Sequence, residues 1–500
     1  MIIHMICARI ALNFLLWVVI TMNKRLMRDS VCSDPNRINS SLLKKVLMTA
    51  LSRGADFADL FFEYRTSLSI LMEEDTIKET DETLAMGLGI RVIKNGRTGY
   101  AYSNDLSEEK LIKAARSAAA IADQRKTQPK GFCFRPVRVK NRVARVDKLA
   151  TASPLHEKLD LVRRAYQSAM NFDRAIKKVQ VAYGESTQHV WILNSEGLSI
   201  KDCRPMIKLT VHSLAEKQRR RESGYYGGGG RVGLEFFRNS MTPEAIAEES
   251  AREACLLLEA IDSPAGSWPV ILSPGYSGVL VHEAVGHLLE ADFIRKKTSI
   301  FWDKLGQQVA SGQISIYDDP TIPGFCGSYN IDDEGTRPEK TLLVDKGIII
   351  EFLQDRLSAK SMGKKSNGHG RREDFTHWPL PRMSNTYLAP GEYSPEEIIH
   401  GVKKGFYVGH LSGGQVEDSG KFTFSVTLGF LVENGRLTRP VKQATLIGSN
   451  LDILQQVEMV GSDLGFGLPT ATCSKDGQQI PVNDGCPTMK ITRMTIGGQS

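Results

Sequence analysis

The chain has 500 residues, 41% of them hydrophobic and 24% charged, with a formal net charge of +7. That is the composition of an ordinary soluble globular protein with room for roughly two to four domains, and it excludes a chain without a core. Eight cysteines stand singly (Cys7, Cys32, Cys133, Cys203, Cys255, Cys326, Cys473, Cys486), with no CxxC and no short-spaced framework. This excludes a disulfide scaffold and points to free thiols in a reducing compartment such as the cytoplasm.

In chain order, Ile10–Met22 is almost wholly apolar, with Asn13 inside it and Arg9 before it. At about thirteen residues it is short of the roughly twenty that span a bilayer, and no small-x-small cleavage site follows it. Three readings stand: a start placed upstream of Met22 or Met27, a membrane anchor, or the apolar part of a signal peptide. Residues 1–40 are therefore set aside as an extension. The folded body begins with a helix on Leu42, Leu43, Val46, Leu47, Ala50 and Leu51, stopped at Gly54. Strands follow at Leu60–Tyr64, Leu68–Met72, Leu88–Ile93 and Thr98–Tyr102, the last two joined by the hairpin pair Asn95-Gly96. Asp105-Leu106-Ser107-Glu108 reads as a capping box, with Asp105 as cap, for an alanine-rich helix to about Asp123.

Asp123–Lys148 holds nine Lys and Arg against two Asp. It contains Phe132 and Phe134 but no nucleic-acid-binding motif, so it reads as a solvated linker or edge strand, and no nucleic acid is expected as a partner. A helix then starts at Ser153-Pro154 with the proline first. Strands follow at Val179–Tyr183, Val190–Asn194, Leu198–Lys201 and Ile207–Leu214, then Gly227–Gly230, and a helix from Thr242-Pro243 through Ala260. Twice, then, the order is helix, antiparallel strands, helix, which suggests a remote internal duplication. Residues 262–270 mark a boundary. Beyond it the chain is rich in glycine and strands (Leu342–Val344, Ile348–Phe352, Phe422–Leu428, Phe430–Glu433), with one clear helix from Ser394-Pro395 to Lys404, closed by Gly405. The fold class is α+β with mostly antiparallel sheet. The expected units are 1–40, 41–125, a basic linker 126–150, 151–262 and a C-terminal unit 263–500.

The chemistry centres on His282-Glu283-Ala284-Val285-Gly286-His287, flanked by Val279, Leu280, Val281, Leu288 and Leu289. Neutral imidazoles suit zinc, and a glutamate beside them can take a proton from water that the metal activates. The HExxH spacing of ordinary zinc peptidases leaves two imidazoles about 40° apart around a helix; the i, i+5 spacing here gives about 140° on an ideal α-helix. A π-bulge absorbs the extra residue, and Gly286 offers backbone freedom where it is needed. The alternative is two histidines on different faces of a buried helix, and the bare pattern leaves both readings open.

Several long strings stand out: Gly227-Gly228-Gly229-Gly230-Arg231, Pro274-Gly275-Tyr276-Ser277-Gly278-Val279-Leu280-Val281, Ile331-Asp332-Asp333-Glu334-Gly335, Gly370-Arg371-Arg372-Glu373, Pro381-Arg382-Met383-Ser384-Asn385-Thr386, Gly413-Gly414-Gln415-Val416 and Val460-Gly461-Ser462-Asp463-Leu464. With these strings the chain resembles the TldD/PmbA family of zinc peptidases, specifically its metal-bearing TldD type. The resemblance runs from about Leu42 to Gly498 and leaves the apolar segment outside. It implies a C-terminal metallopeptidase domain with Zn2+ held by His282, His287 and Cys473, the last in Cys473-Ser474-Lys475-Asp476-Gly477-Gln478, and with Glu283 as general base. Without the resemblance nothing in the sequence selects Cys473, and Cys486 is a nearby rival. It also implies pairing with a related metal-free subunit, a homodimer being the alternative.

Around this centre, Arg371 and Arg372 are candidates to steady an oxyanion or grip a peptide carboxylate, with surface salt bridging as the plainer reading. His369 and His377 are candidate hydrogen-bond partners of the metal ligands. Asp332-Asp333-Glu334 reads as a solvated or capping turn. Gly227–Gly230 lacks the ending of a phosphate loop. In a sheet, Gly228 and Gly229 would let another backbone approach, which fits an unstructured peptide added as a strand. The expected function is hydrolysis of unfolded or small peptides. The rival readings are a non-catalytic regulatory or binding subunit and a membrane-tethered protease.

Overall fold

A computed structural model describes residues 39–122, 131–416 and 420–498. The apolar segment Ile10–Met22, Asp123 and the first part of the basic run lie outside the described residues. Among the described residues no helix is long and apolar enough to cross a membrane.

The first unit comprises α1 (Ser40–Leu51), β1 (Phe57–Glu73), β2 (Thr76–Lys94), β3 (Arg97–Ser103) and α2 (Glu108–Ala119). Its apolar stripe folds as the periodicity predicts: Leu43, Val46, Leu47, Ala50 and Leu51 are all buried, and the Asn39 side chain caps the helix through the Ser41 N–H. Asn95 and Gly96 both take positive φ (49° and 74°), which matches the twist of the flanking strands. After β4 (Arg135–Val137), the second unit repeats the order with α3 (Leu155–Phe172), β5 (Ile176–Asn194), β6 (Leu198–Lys217), β7 (Arg220–Gly230) and α4 (Pro243–Leu258). The basic stretch thus contributes an exposed edge strand, β4, parallel to the start of β6.

The two units share one sheet. Its order is β3-β2-β1-β5-β6, with β7 beside β6, and β1 pairs antiparallel with β5 along its length. The strand order therefore runs outward in the same way on both sides of the β1–β5 pair, the arrangement a duplicated unit produces when it joins edge to edge.

Several local expectations change. Leu60–Tyr64 and Leu68–Met72 belong to one strand, and polar Thr76–Leu84, not expected as strand, pairs with the end of β1. That part of β2 is exposed, so its side chains carry no period-2 apolar signal while the backbone ladder still forms. Likewise Val179–Tyr183 joins Val190–Asn194 in β5, and Leu198–Lys201 joins Ile207–Leu214 in β6. Asp105 does not cap α2. Ser107 holds the cap position, and Asp105 accepts from its N–H two residues earlier. Pro154 precedes α3 rather than opening it. The C-terminal helix spans Pro395–His400 with a full capping box between Ser394 and Glu397; Gly401 ends it, and Gly405 lies in the next strand.

The C-terminal residues build an eight-stranded sheet, containing Gly266–Leu272, Lys404–Val416, Lys421–Glu433 and Met489–Gly497, and a six-stranded sheet containing Ile316–Asp318, Asn385–Leu388 and Asn483–Cys486. One apolar core joins them. It takes in Leu280, Val281, Ala284 and Val285 beside the histidine motif, together with Val408, Phe424, Ile316 and Leu388. The motif is thus buried by the packing of both sheets.

The N-terminal sheet is tied to the C-terminal part by buried charge. Arg91 on β2 pairs with Asp59 on β1 and lies 2.7 Å from Glu334; Arg204 on β6 lies 2.6 Å from Asp333. The acidic turn is therefore buried and paired rather than solvated, though it also caps: Asp332 accepts from the Glu334 and Thr336 N–H groups. Replacing Arg91 by methionine leaves two carboxylates buried without their cation. The expected cost is about 3–5 kcal/mol, read as a lowered thermal midpoint.

Candidate metal centre

The segment around His282 begins as a turn of α-helix (Gly278–Val281) and continues as a π turn (His282–Gly286), in which the His287 N–H donates to the His282 carbonyl. The extra residue is absorbed where the i, i+5 spacing requires it. The two rings come together with centroids 5.0 Å apart and planes at 86°. Gly286 serves differently than expected. Its φ of −53° is ordinary helix, open to any residue. What needs a glycine is space, since a Cβ there would lie 2.0 Å from the Met383 Sδ. Gly278 acts alike at the helix start, where a Cβ would lie 2.5 Å from the Gly485 N and 2.7 Å from the Asp484 carbonyl carbon. Close seating on the Asn483–Cys486 strand brings Asp484 to His282.

The third donor comes from a hairpin, Thr472–Lys475 with Gln478–Pro481, turned by Asp476-Gly477 at positive φ (50° and 73°). Strand alternation buries Cys473 and Lys475 on one face and exposes Thr472 and Ser474 on the other. The Cys473 Sγ lies 3.3 Å from the His287 Nε2, and donor atoms of His282, His287 and Cys473 all fall within 4.8 Å of one another. The rival thiol is elsewhere. Cys486 is buried with its Sγ 3.5 Å from the Ser273 carbonyl, and burial and then Asp463 push its pKa up.

The partners of these ligands were not legible in the sequence. The His282 Nδ1–H donates to Asp484 at 2.6 Å and the His287 Nδ1–H to Glu290 at 3.0 Å. Each bond fixes a tautomer that leaves the Nε2 lone pair for a metal. Arg382 donates to the Cys473 carbonyl at 2.8 Å and to its Sγ at 3.2 Å. Lys475 bonds Glu290 at 2.9 Å and Asp292 at 2.6 Å. Asp484 lies 202 residues from His282 in the chain, so no local pattern announces it. Glu290, three residues after His287, is the one partner that helical spacing could have suggested. His369 and His377 do not fill this role. The His369 Nε2 is 3.3 Å from the Thr341 hydroxyl, and His377 bonds Asp374 at 3.0 Å.

Electrostatically the pocket is primed for a cation. Burial disfavours charge on His282, but Asp484 and Cys473 outweigh it and hold its pKa well above the usual imidazole range. Burial is likewise outweighed at His287, which Glu290 and Cys473 push up to about 9. Burial raises the Cys473 thiol, yet the two imidazoles prevail and hold it well below its ordinary value. A divalent ion would take the place of the protons on these rings. Two imidazoles and a thiolate with oriented outer partners fit zinc. Glu283 lies beside the donors, its carboxylate 3.9 Å from the His287 Nε2 and its side chain 28% exposed. Burial raises its pKa, with both histidines pulling the other way. Replacing Asp484 by asparagine keeps the shape but removes the charge that orients His282. Zinc affinity is expected to fall about 10–100-fold, measured by competition with a chelating dye.

The remaining candidates are engaged within the chain. Arg371 donates to the Met383 and Pro481 carbonyls (2.6 and 2.9 Å), and Arg372 to the Asp333 and His377 carbonyls (3.1 and 3.2 Å). Both are buried, so they are not a surface salt-bridging pair, and both line the cavity between the N-terminal sheet and the hairpin of Cys473. Gly228 packs toward Met241, Ile246 and Phe236. The close backbone approach at the glycine run is made by the chain itself: the Gly324 carbonyl lies 2.2 Å from where a Gly230 Cβ would be, and β6 covers Gly229. On the side a Cβ would occupy, these contacts fill the space at Gly228 and Gly229; β7 pairs with β6 along one edge.

An α+β fold that buries two imidazoles and a thiolate beside a glutamate is suited to metal-dependent hydrolysis. Family models agree along the chain: PmbA/TldA metallopeptidase domain 1 matches residues 58–122, the central domain 149–258 and the C-terminal domain 265–498. A metalloprotease TldD homologue of Haemophilus influenzae is 36% identical, over 93% of this chain and 97% of its own. One of Buchnera aphidicola is 38% identical over the same shares. The solved structure of TldE from Thermococcus kodakarensis superposes with a TM-score of 0.73 at 20% identity, covering 91% of this chain and 100% of that one. The chain belongs to the PmbA/TldD metallopeptidase family.

Proposed function

We propose that the protein is a zinc-dependent peptidase of the cytoplasm that cleaves unfolded or small peptides, with Glu283 as general base. The observation that carries this reading is the convergence of His282, His287 and Cys473 beside Glu283. A bound zinc would supply Lewis acidity toward water and toward the scissile carbonyl. The chain's own residues do the rest. Asp484 and Glu290 hold the imidazoles in one tautomer, and Arg382 steadies the Cys473 thiolate. Glu283, the more exposed group, accepts the proton of the attacking water and returns it to the leaving amine.

His282 is 2% exposed and Cys473 3%. A folded protein surface cannot reach donors at that depth, whereas an extended segment can, which supports unstructured substrates. Unpaired cysteines throughout the described residues support a reducing compartment. The family resemblance supports pairing with a related metal-free subunit, and a homodimer is the alternative outcome. The intact donor set with Glu283 counts against a purely regulatory chain.

The test is metal analysis beside cleavage of one polypeptide in folded and unfolded forms, with and without the metal-free subunit. Cleavage of the unfolded form only is expected, lost on chelation and restored by zinc. Activity that survives complete removal of metal would overturn the reading.

A further inference from the structure

The glycine run ends at Arg231, a residue the metal centre does not use. β7 ends on Gly229 and Gly230, still paired with β6 and at φ of +142° and +139°, and the Arg231 N–H donates to the Gly324 carbonyl at 2.9 Å. Those conformations suit glycine, and they deliver Arg231 to the wall of a cavity of about 460 Å3. One side of the cavity is the face of the N-terminal sheet, including Ser67, Ser186 and Lys208. The other is formed by Arg371–Glu373 and by Thr472 and Ile480 of the hairpin that carries Cys473.

The other arginines here have partners: Arg65 lies 3.4 Å from Glu63, Arg204 pairs with Asp333 and Asp202, and Arg371 and Arg372 donate through their terminal nitrogens to carbonyls, although the Arg372 Nε has no partner. Arg231 differs. It is 6% exposed, its Nε is buried without a hydrogen-bond partner, and among the described residues no carboxylate is ion-paired with it. Burial lowers its pKa, and the charges of Arg204 and Arg371 lower it further, to about 10. A buried cation beside other cations, with no counterion of its own, is costly unless an anion joins it.

We infer that Arg231 is the anchor of a carboxylate-binding site, and that the cavity takes the C-terminal end of a short peptide. A guanidinium fork matches the planar carboxylate. The lining is mixed, with Leu68, Met206 and Ile480 available to side chains of the bound segment. It also holds Asp81, Glu185 and Glu373, which repel a phosphate dianion more than a singly charged carboxylate. The choice of a peptide as bearer rests on the peptidase reading; the carboxylate site itself does not.

The test uses the full chain as Glu283→Gln, loaded with zinc so that nothing is turned over. Binding of an N-acetylated tripeptide is measured with a free C-terminal carboxylate and as its amide. The acid is expected to bind at least about tenfold more tightly. That preference disappears with Arg231→Met added and partly returns with Arg231→Lys, zinc content being the same in all. Arg231→Met should melt no lower than its parent, since it removes an unpaired buried charge, and the acid should raise the melting temperature of the parent alone. Equal binding of acid and amide, or a preference that survives Arg231→Met, overturns the site. Inorganic phosphate that displaces the peptide at lower concentration than acetate overturns the assignment to carboxylate. The preference is measured without catalysis, so it stands or falls apart from peptide cleavage by the native enzyme.

Discussion

Glu283→Gln is expected to lose about 10²–10⁴-fold in peptide cleavage while binding zinc as well as the native chain. Glutamine keeps the length and polarity of the side chain but cannot accept a proton. The metal donors are untouched, because Glu283 stands 3.9 Å from the His287 Nε2 and belongs to the rim of the donor set. Its side chain is 28% exposed, against 18% for His287 and 3% for His282. Metal analysis together with initial rates on an unfolded substrate distinguishes loss of chemistry from loss of metal. A Glu283→Gln enzyme at full rate would remove Glu283 from the mechanism and revive the non-catalytic reading.

Cys473→Ala should abolish both zinc retention and activity, from about one equivalent per chain to near zero after dialysis. Two neutral imidazoles remain, and the anionic donor that offsets the charge of the ion is gone. The effect extends beyond the donor, because Arg382, fully buried and donating to the thiolate and its carbonyl, loses the thiolate as an acceptor. Cys486→Ala is the matched control. Its thiol sits against a backbone carbonyl, so zinc content and rate should be unchanged, with at most a modest fall in melting temperature. If Cys486→Ala lost the metal and Cys473→Ala kept it, the assignment of the third ligand would be reversed.

The helix of the histidine motif was legible because its information is local. Two histidines and a glutamate within six residues, set in apolar neighbours, carry their chemistry in the string itself, and if both rings are to share one ion the arithmetic of the helix requires the π turn that the structure contains. Gly286 shows the limit of such reading: it was expected to free the backbone, but its purpose is to make room for Met383, a neighbour 97 positions away. The same holds for the polar half of β2. Its side chains carry no periodic signal because that arm is exposed, and only the pairing with β1 makes it a strand.

By itself the sequence determined the α+β class, the doubled order of helices and strands, the hairpin turns and the histidine motif. Each of these depends on propensity and spacing within a few residues. Only the tertiary structure decided which thiol faces the imidazoles, that Asp484 and Glu290 orient them, and that Arg371, Arg372 and the glycine run are engaged inside the chain. The physical reason is range. Coordination and buried hydrogen bonding act over a few ångströms in space between residues far apart in the chain, such as His282 and Asp484 at 202 positions, and only a packed core sets those distances.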